Sequence, residues 1–143
     1  MTPTVPEILM GNFLSMIEPP PPEAMGEFLQ GRVAVIGMLS MLCAQEAESG
    51  IAARVWENGA IRDLLTRYAP TYGPTFATAA AGQDTDFTLT ALDAANAALR
   101  RALITLHIAA EQARDAALDD EIRQLFVKMA QARRLDLPAL PAG

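Results

Sequence analysis

Late in the chain, apolar side chains recur at alternating steps of three and four: Leu92, Ala95, Leu99, Ala102, Leu106, Ala109 and Ala113. That spacing lines one face of a helix. Large leucines alternate with small alanines, so neighbouring helices can interdigitate closely, as in an antiparallel bundle. Thr90 with Asp93 reads as the cap that starts this helix. A further helix is predicted from about residue 116 or 120 to 134. It carries Leu118, Ile122, Leu125, Phe126 and Met129 on one face, and Arg133 and Arg134 suit its negative C-terminal end.

The earlier half of the chain has a different pattern. From 33 to 44 it is apolar nearly all round, with Met38, Met41 and Cys43 beside Ala34 and Gly37. A helix without a polar face in its middle has to be covered on every side. Three coverings are open: a central place within the monomer, an isologous interface with a second copy, or a cavity holding an apolar ligand. The helix is expected to start near Pro22 or Glu23 and to stop at Ser49-Gly50. Glu46 and Glu48 would then face the negative end of the dipole, which favours the alternative of one continuous or kinked helix to Ala69. The break is expected nonetheless, because an unbroken helix of about 46 residues would extend about 70 Å, too long for a compact domain. A second helix then covers 51–69, ended by Pro70 and Gly73, and residues 70–87 form a long loop whose Tyr72 and Phe76 pack over a bundle end.

Ahead of these lies a short arm. Thr4 followed by Glu7 has the form of a capping box, and a helix to Ile17 presents Leu9, Phe13, Met16 and Ile17 before the prolines at 19–22 stop it. The expected organisation is therefore an N-terminal arm at 1–22, a bundle at 23–134 and a tail at 135–143. The fold class is all-α: an antiparallel four-helix bundle with a short N-terminal helix and a long loop between helices two and three. A faint internal echo, Asn58-x-Ala60-Ile61-Arg62 against Asn96-x-Ala98-Leu99-Arg100, pairs the second helix with the third rather than one hairpin with the other.

Charge narrows the possible partners. The 143 residues carry a formal net charge of -6, and all the bases but Lys128 are arginines spread along the chain, so a phosphate backbone would be repelled. Nucleic acid is not expected as a partner. The run at 33–44 is shorter than the roughly 20 residues needed to cross a bilayer, so no membrane span is expected either. One cysteine and no basic, signal-like start agree with a reducing cytoplasm.

Polar residues suggest little chemistry. A carboxylate-bridged metal pair needs two Glu-x-x-His motifs, and the single histidine, His107, has Ile104 three residues before it. His107 and Glu111, one turn apart, would need ligands from another helix to hold a metal, and Cys43 lies among apolar residues that keep a thiol unreactive. No catalytic residue, metal or cofactor is expected. The most site-like feature is the stripe Asp93, Asn96, Arg100, His107 and Glu111, which could meet Glu57, Asn58 and Arg62 from the second helix. The expected function is a non-enzymatic interaction module that forms a homodimer, or binds another protein, through Phe13, Met38, Met41 and Trp56. The alternative is a small-molecule binder or enzyme with a polar pocket of Glu57, Arg62, Arg100, His107 and Glu111.

Overall fold

A computed structural model describes residues 3–17 and 25–136, without the side chains of Pro6, residues 13–17 and Met25. The described residues are all-helical, with five helices and no strand: α1 (Val5–Ile17), α2 (Met25–Tyr72), α3 (Pro74–Ala80), α4 (Leu89–Ala113) and α5 (Ala116–Ala132). The prolines at 19–22 and the tail beyond 136 lie outside the described residues, as does the side chain of Phe13.

The expected break at Ser49-Gly50 is absent. A glycine stop requires a left-handed backbone, and Gly50 is not among the residues with positive φ. Ser49 Oγ instead donates to the Gln45 carbonyl oxygen at 2.9 Å, a bond to the preceding turn that a continuing helix accommodates. Helix α2 is thus a single element of 48 residues. It also passes Pro70, expected to end it, and stops at Gly73, whose φ of 126° favours glycine. Pro74 then occupies the first turn of α3, where its missing N–H costs nothing. The long loop expected at 70–87 is consequently interrupted by this short helix, and Phe76 and Ala80 on it are buried.

The chain divides into two compact units, with boundaries after Gly50 and after Arg133. In the first unit, Thr4 N and Oγ1 both donate to Glu7 Oε2, at 2.7 and 2.9 Å. This carboxylate caps the start of α1, as the sequence pattern indicates. Gln45 on α2 and the backbone of Asp136 exchange two hydrogen bonds of 2.8 Å, which tie the segment after α5 to the helix. The apolar stretch is not enclosed by the described residues: Leu29 is 50% exposed, Val33 69%, and Val35 and Met38 each 40%. The described residues therefore do not give it a central place within the monomer. The expectation that nothing could span a bilayer also changes, because α2 is long enough and its apolar window, of mean hydropathy 1.3, sufficiently apolar to do so.

The second unit holds a hydrophobic core in which Ile61, Leu64 and Leu65 of α2 join Leu99, Leu103 and Leu106 of α4 and Leu118, Ile122 and Met129 of α5. Buried positions on α4 are Leu92, Asn96, Leu99, Leu103, Leu106 and Ala110. The leucines of the sequence pattern are the ones that pack. Their buried companions stand four residues on, at Asn96, Leu103 and Ala110, while the expected Ala95, Ala102 and Ala109 are half-buried, Ala102 against the core. Both steps lie close to one helical turn, and the partner helices select between them.

Helix ends in this unit are set by local chemistry. Thr88, two residues earlier than expected, caps α4 by accepting from Ala91 N at 3.3 Å, as a threonine before a first turn does. Arg114 adopts a left-handed conformation (φ 56°), and Asp115 N donates back to the Ala110 carbonyl oxygen at 2.9 Å. This is the pairing of a Schellman turn. Asp115 then caps α5 through Leu118 N at 3.1 Å. The two-residue turn folds α5 back along α4, and His107 meets Asp119 across the hairpin. The second half of α2 runs parallel to α4: Arg54 meets Asp93 and Glu57 meets Asn96 at one end, and Tyr72 meets Asp115 at the other.

Candidate functional site

Glu57 is fully buried, and an isolated carboxylate there would carry a large desolvation cost. Four donor atoms converge on it. Arg133 grips both oxygens, Nε on Oε1 and Nη2 on Oε2 at 2.7 Å each. This two-pronged geometry suits a guanidinium. Asn96 Nδ2 donates to Oε2 at 2.9 Å, and Arg100 Nη2 reaches the same oxygen at 3.4 Å.

The network continues through amides. Asn96 Nδ2 also donates to Asn58 Oδ1 at 2.9 Å, and Asn58 Nδ2 donates to Asp84 Oδ2 at 3.1 Å and to the Leu92 carbonyl oxygen at 3.3 Å. Asp84 accepts from Arg62 Nη2 at 2.7 Å, and this bond, with help from Asn58, holds its carboxyl below the usual range against the opposing effect of burial. Arg54, 3% exposed, donates from Nε to Asp93 Oδ1 at 2.7 Å. The network joins α2, the segment before α4, α4 itself and the residue after α5. Each carboxylate meets at least one guanidinium, Glu57 two, and the amides of Asn96 and Asn58 link Glu57 to Asp84. Such a network can specify how the surrounding helices pack.

A second cluster sits nearer the α4–α5 turn. His107 Nε2 lies 2.7 Å from Asp119 Oδ1, and Arg123 Nη2 lies 3.0 Å from Asp119 Oδ2. The hydrogen bond to His107, then that to Arg123, lowers the Asp119 carboxyl below its ordinary value. Glu111, one turn after His107, completes a group whose potential ligand atoms all lie within 4.8 Å of one another.

The five residues expected to line one polar pocket therefore separate. Glu57 and Arg100 share a bond, and Arg62 joins them only through Asp84, Asn58 and Asn96. His107 follows Arg100 by seven residues, about 10 Å along the helix. It pairs with α5, while Glu111 is exposed beside it. Of the expected interface residues, Met38 is exposed, Met41 half-buried and Trp56 41% exposed. Trp56 borders a groove of about 290 Å³ between α2 and α5, floored by Ala60, Leu64 and Leu125 and rimmed by Arg67 and Lys128. Cys43, expected to be buried, is half-buried.

Sequence reasoning misses Arg133, Asp84 and Asp119 as partners. Spacing assigns Arg133 to the helix dipole, yet it binds a carboxylate 76 positions away. Asp84 and Asp119 have no periodic signal, one lying in the irregular segment between α3 and α4 and the other among consecutive acids. Compared with known proteins, the chain matches no family model, no curated protein and no solved structure.

Proposed function

We propose that this chain is a cytoplasmic, non-enzymatic self-association module whose first unit forms the interface of a homodimer. The observation that carries the reading is the exposed apolar surface of α2 between residues 29 and 38. Soluble proteins seldom leave this much apolar surface open, because covering it with a like surface removes it from water at about 25 cal/mol per Å². The small residues Gly31 and Gly37 support the same reading, since a Cβ at either would meet nothing within 4 Å and a second helix could approach closely there. Two chains, each giving α1 and the first half of α2, would then cover this surface against each other.

Sedimentation equilibrium on the full chain tests this. The expected result is a dimer that Met38→Glu weakens by tenfold or more, about 1.4 kcal/mol. A strictly monomeric wild-type protein removes the reading. The apolar window of α2 favours a second one, insertion in a bilayer. Flotation with phosphatidylcholine vesicles separates the two, since a homodimer stays with the soluble fraction.

A further inference from the structure

We propose that His107, Glu111 and Asp119 bind a divalent transition-metal cation, zinc best of all, at the end of the α4–α5 hairpin. This site does not rest on the self-association reading. His107 and Glu111 are one turn apart on α4, so both project from one side of the helix. Two ligands from one helix are not enough for a specific site. Asp119, on the first turn of α5, supplies the third from a second element, and the tight Arg114-Asp115 turn fixes the two helices against each other.

The distances suit a small cation. Ligand atoms bound at about 2.0–2.1 Å around a tetrahedral zinc stand about 3.3 Å apart. Here all three fall within 4.8 Å of one another, and His107 Nε2 with Asp119 Oδ1 is closer, at 2.7 Å. Side-chain rotation alone covers the difference: the imidazole and carboxylate part by about 0.6 Å to reach that spacing. Glu111, exposed and unbranched, swings in.

Charge and orientation agree. The carboxylates of Glu111 and Asp119 together balance the charge of a divalent ion. Arg123 holds the other Asp119 oxygen at 3.0 Å and aims Oδ1 at the imidazole, as an outer partner orients a metal ligand. The Phe126 ring, 6.0 Å from that of His107, restricts the imidazole further. Glu111 and Asp119 both line an open cleft of about 360 Å³, so water can occupy a fourth position. One imidazole with two carboxylates is a donor set suited to zinc or manganese; a softer ion would require thiolates.

The chain has one histidine, so a single imidazole signal reports on the site. The test uses the full chain, stripped with a chelator and titrated with zinc chloride by calorimetry and by ¹H–¹⁵N spectra of His107. The expected result is one zinc per chain, a shift of the Nε2 resonance that saturates with it, and binding weakened at least tenfold in each of His107→Ala, Glu111→Gln and Asp119→Asn. An Nε2 resonance that stays in place in the wild-type protein overturns the proposal whatever the variants do. So does any one of the three variants that binds as tightly as wild type.

Discussion

Asn96 Nδ2 donates a hydrogen bond to Asn58 Oδ1 at 2.9 Å, joining the same position of two helical segments that run in the same direction. Asn58 is fully buried and Asn96 is 5% exposed. The two residues head the short internal echo Asn-x-Ala-Ile/Leu-Arg, and its arginines, Arg62 and Arg100, follow each asparagine by four residues. Each arginine reaches a different carboxylate, Asp84 and Glu57 respectively. A buried amide pair of this kind pins the register of α2 against α4, because sliding one helix by a turn would leave both amides without partners.

A double-mutant cycle measures that coupling. Asn58→Ala and Asn96→Ala should each destabilise the fold by about 1–3 kcal/mol, and the double variant by less than their sum, with a coupling of at least about 0.5 kcal/mol in urea unfolding. Additive losses would mean that the amides do not act as a pair.

Glu57 should matter more than any other polar side chain. Its removal in Glu57→Ala strands Arg133, whose side chain is only 18% exposed. The expected loss is about 3–5 kcal/mol, the cost of leaving a buried charge without its partner. Replacing both partners, Glu57→Leu with Arg133→Leu, should recover part of it, because the charge then left without Glu57 is that of Arg100, whose side chain is 45% exposed to water. Chemical denaturation of the single and double variants gives both numbers.

Acid should loosen the Asp84 bridge. The folded carboxyl is lowered, chiefly by Arg62, and so lies below an unfolded value of about 3.9. Its contribution is therefore fully present above about pH 4 and is lost as pH falls through the lower folded value. In Asp84→Asn that part of the acid dependence should disappear. Unfolding free energies measured from about pH 6 down to about pH 2 check it, and parallel curves for the two proteins would contradict it.

Arg114 is the one residue other than glycine with a positive φ among those described. A side chain in this conformation costs about 1 kcal/mol relative to glycine. Arg114→Gly should therefore raise thermal stability by a few degrees, visible in a calorimetric scan, provided that the backbone bonds of the turn remain.

Much of the local structure is legible in the residues. The cap of α1, the leucines that pack on α4 and the apolar face of α5, apart from the exposed Phe126, all follow from short-range spacing, because a helix repeats every 3.6 residues whatever surrounds it. The break expected at Ser49-Gly50 is missing from α2, since a serine and a glycine permit a helix to stop without obliging it to. The polar site is legible only by half. Glu57, Arg62 and Arg100 stand out by spacing, whereas Arg133 and Asp84 come from other parts of the chain and no local pattern points to them. His107 and Glu111 are visible as neighbours, but Asp119 becomes their companion only when α5 folds back.

What the amino-acid order determined by itself is helicity, the choice of leucines for the core and a long apolar stretch with no polar face, all consequences of periods and propensities within a few turns. The tertiary structure alone decided which polar groups meet, that α2 lies parallel to α4 within the second unit, and that the apolar stretch finds no cover among the described residues. The reason is physical: helix periodicity is a property of neighbours in sequence, while pairing a buried charge depends on residues that approach only after the chain has folded.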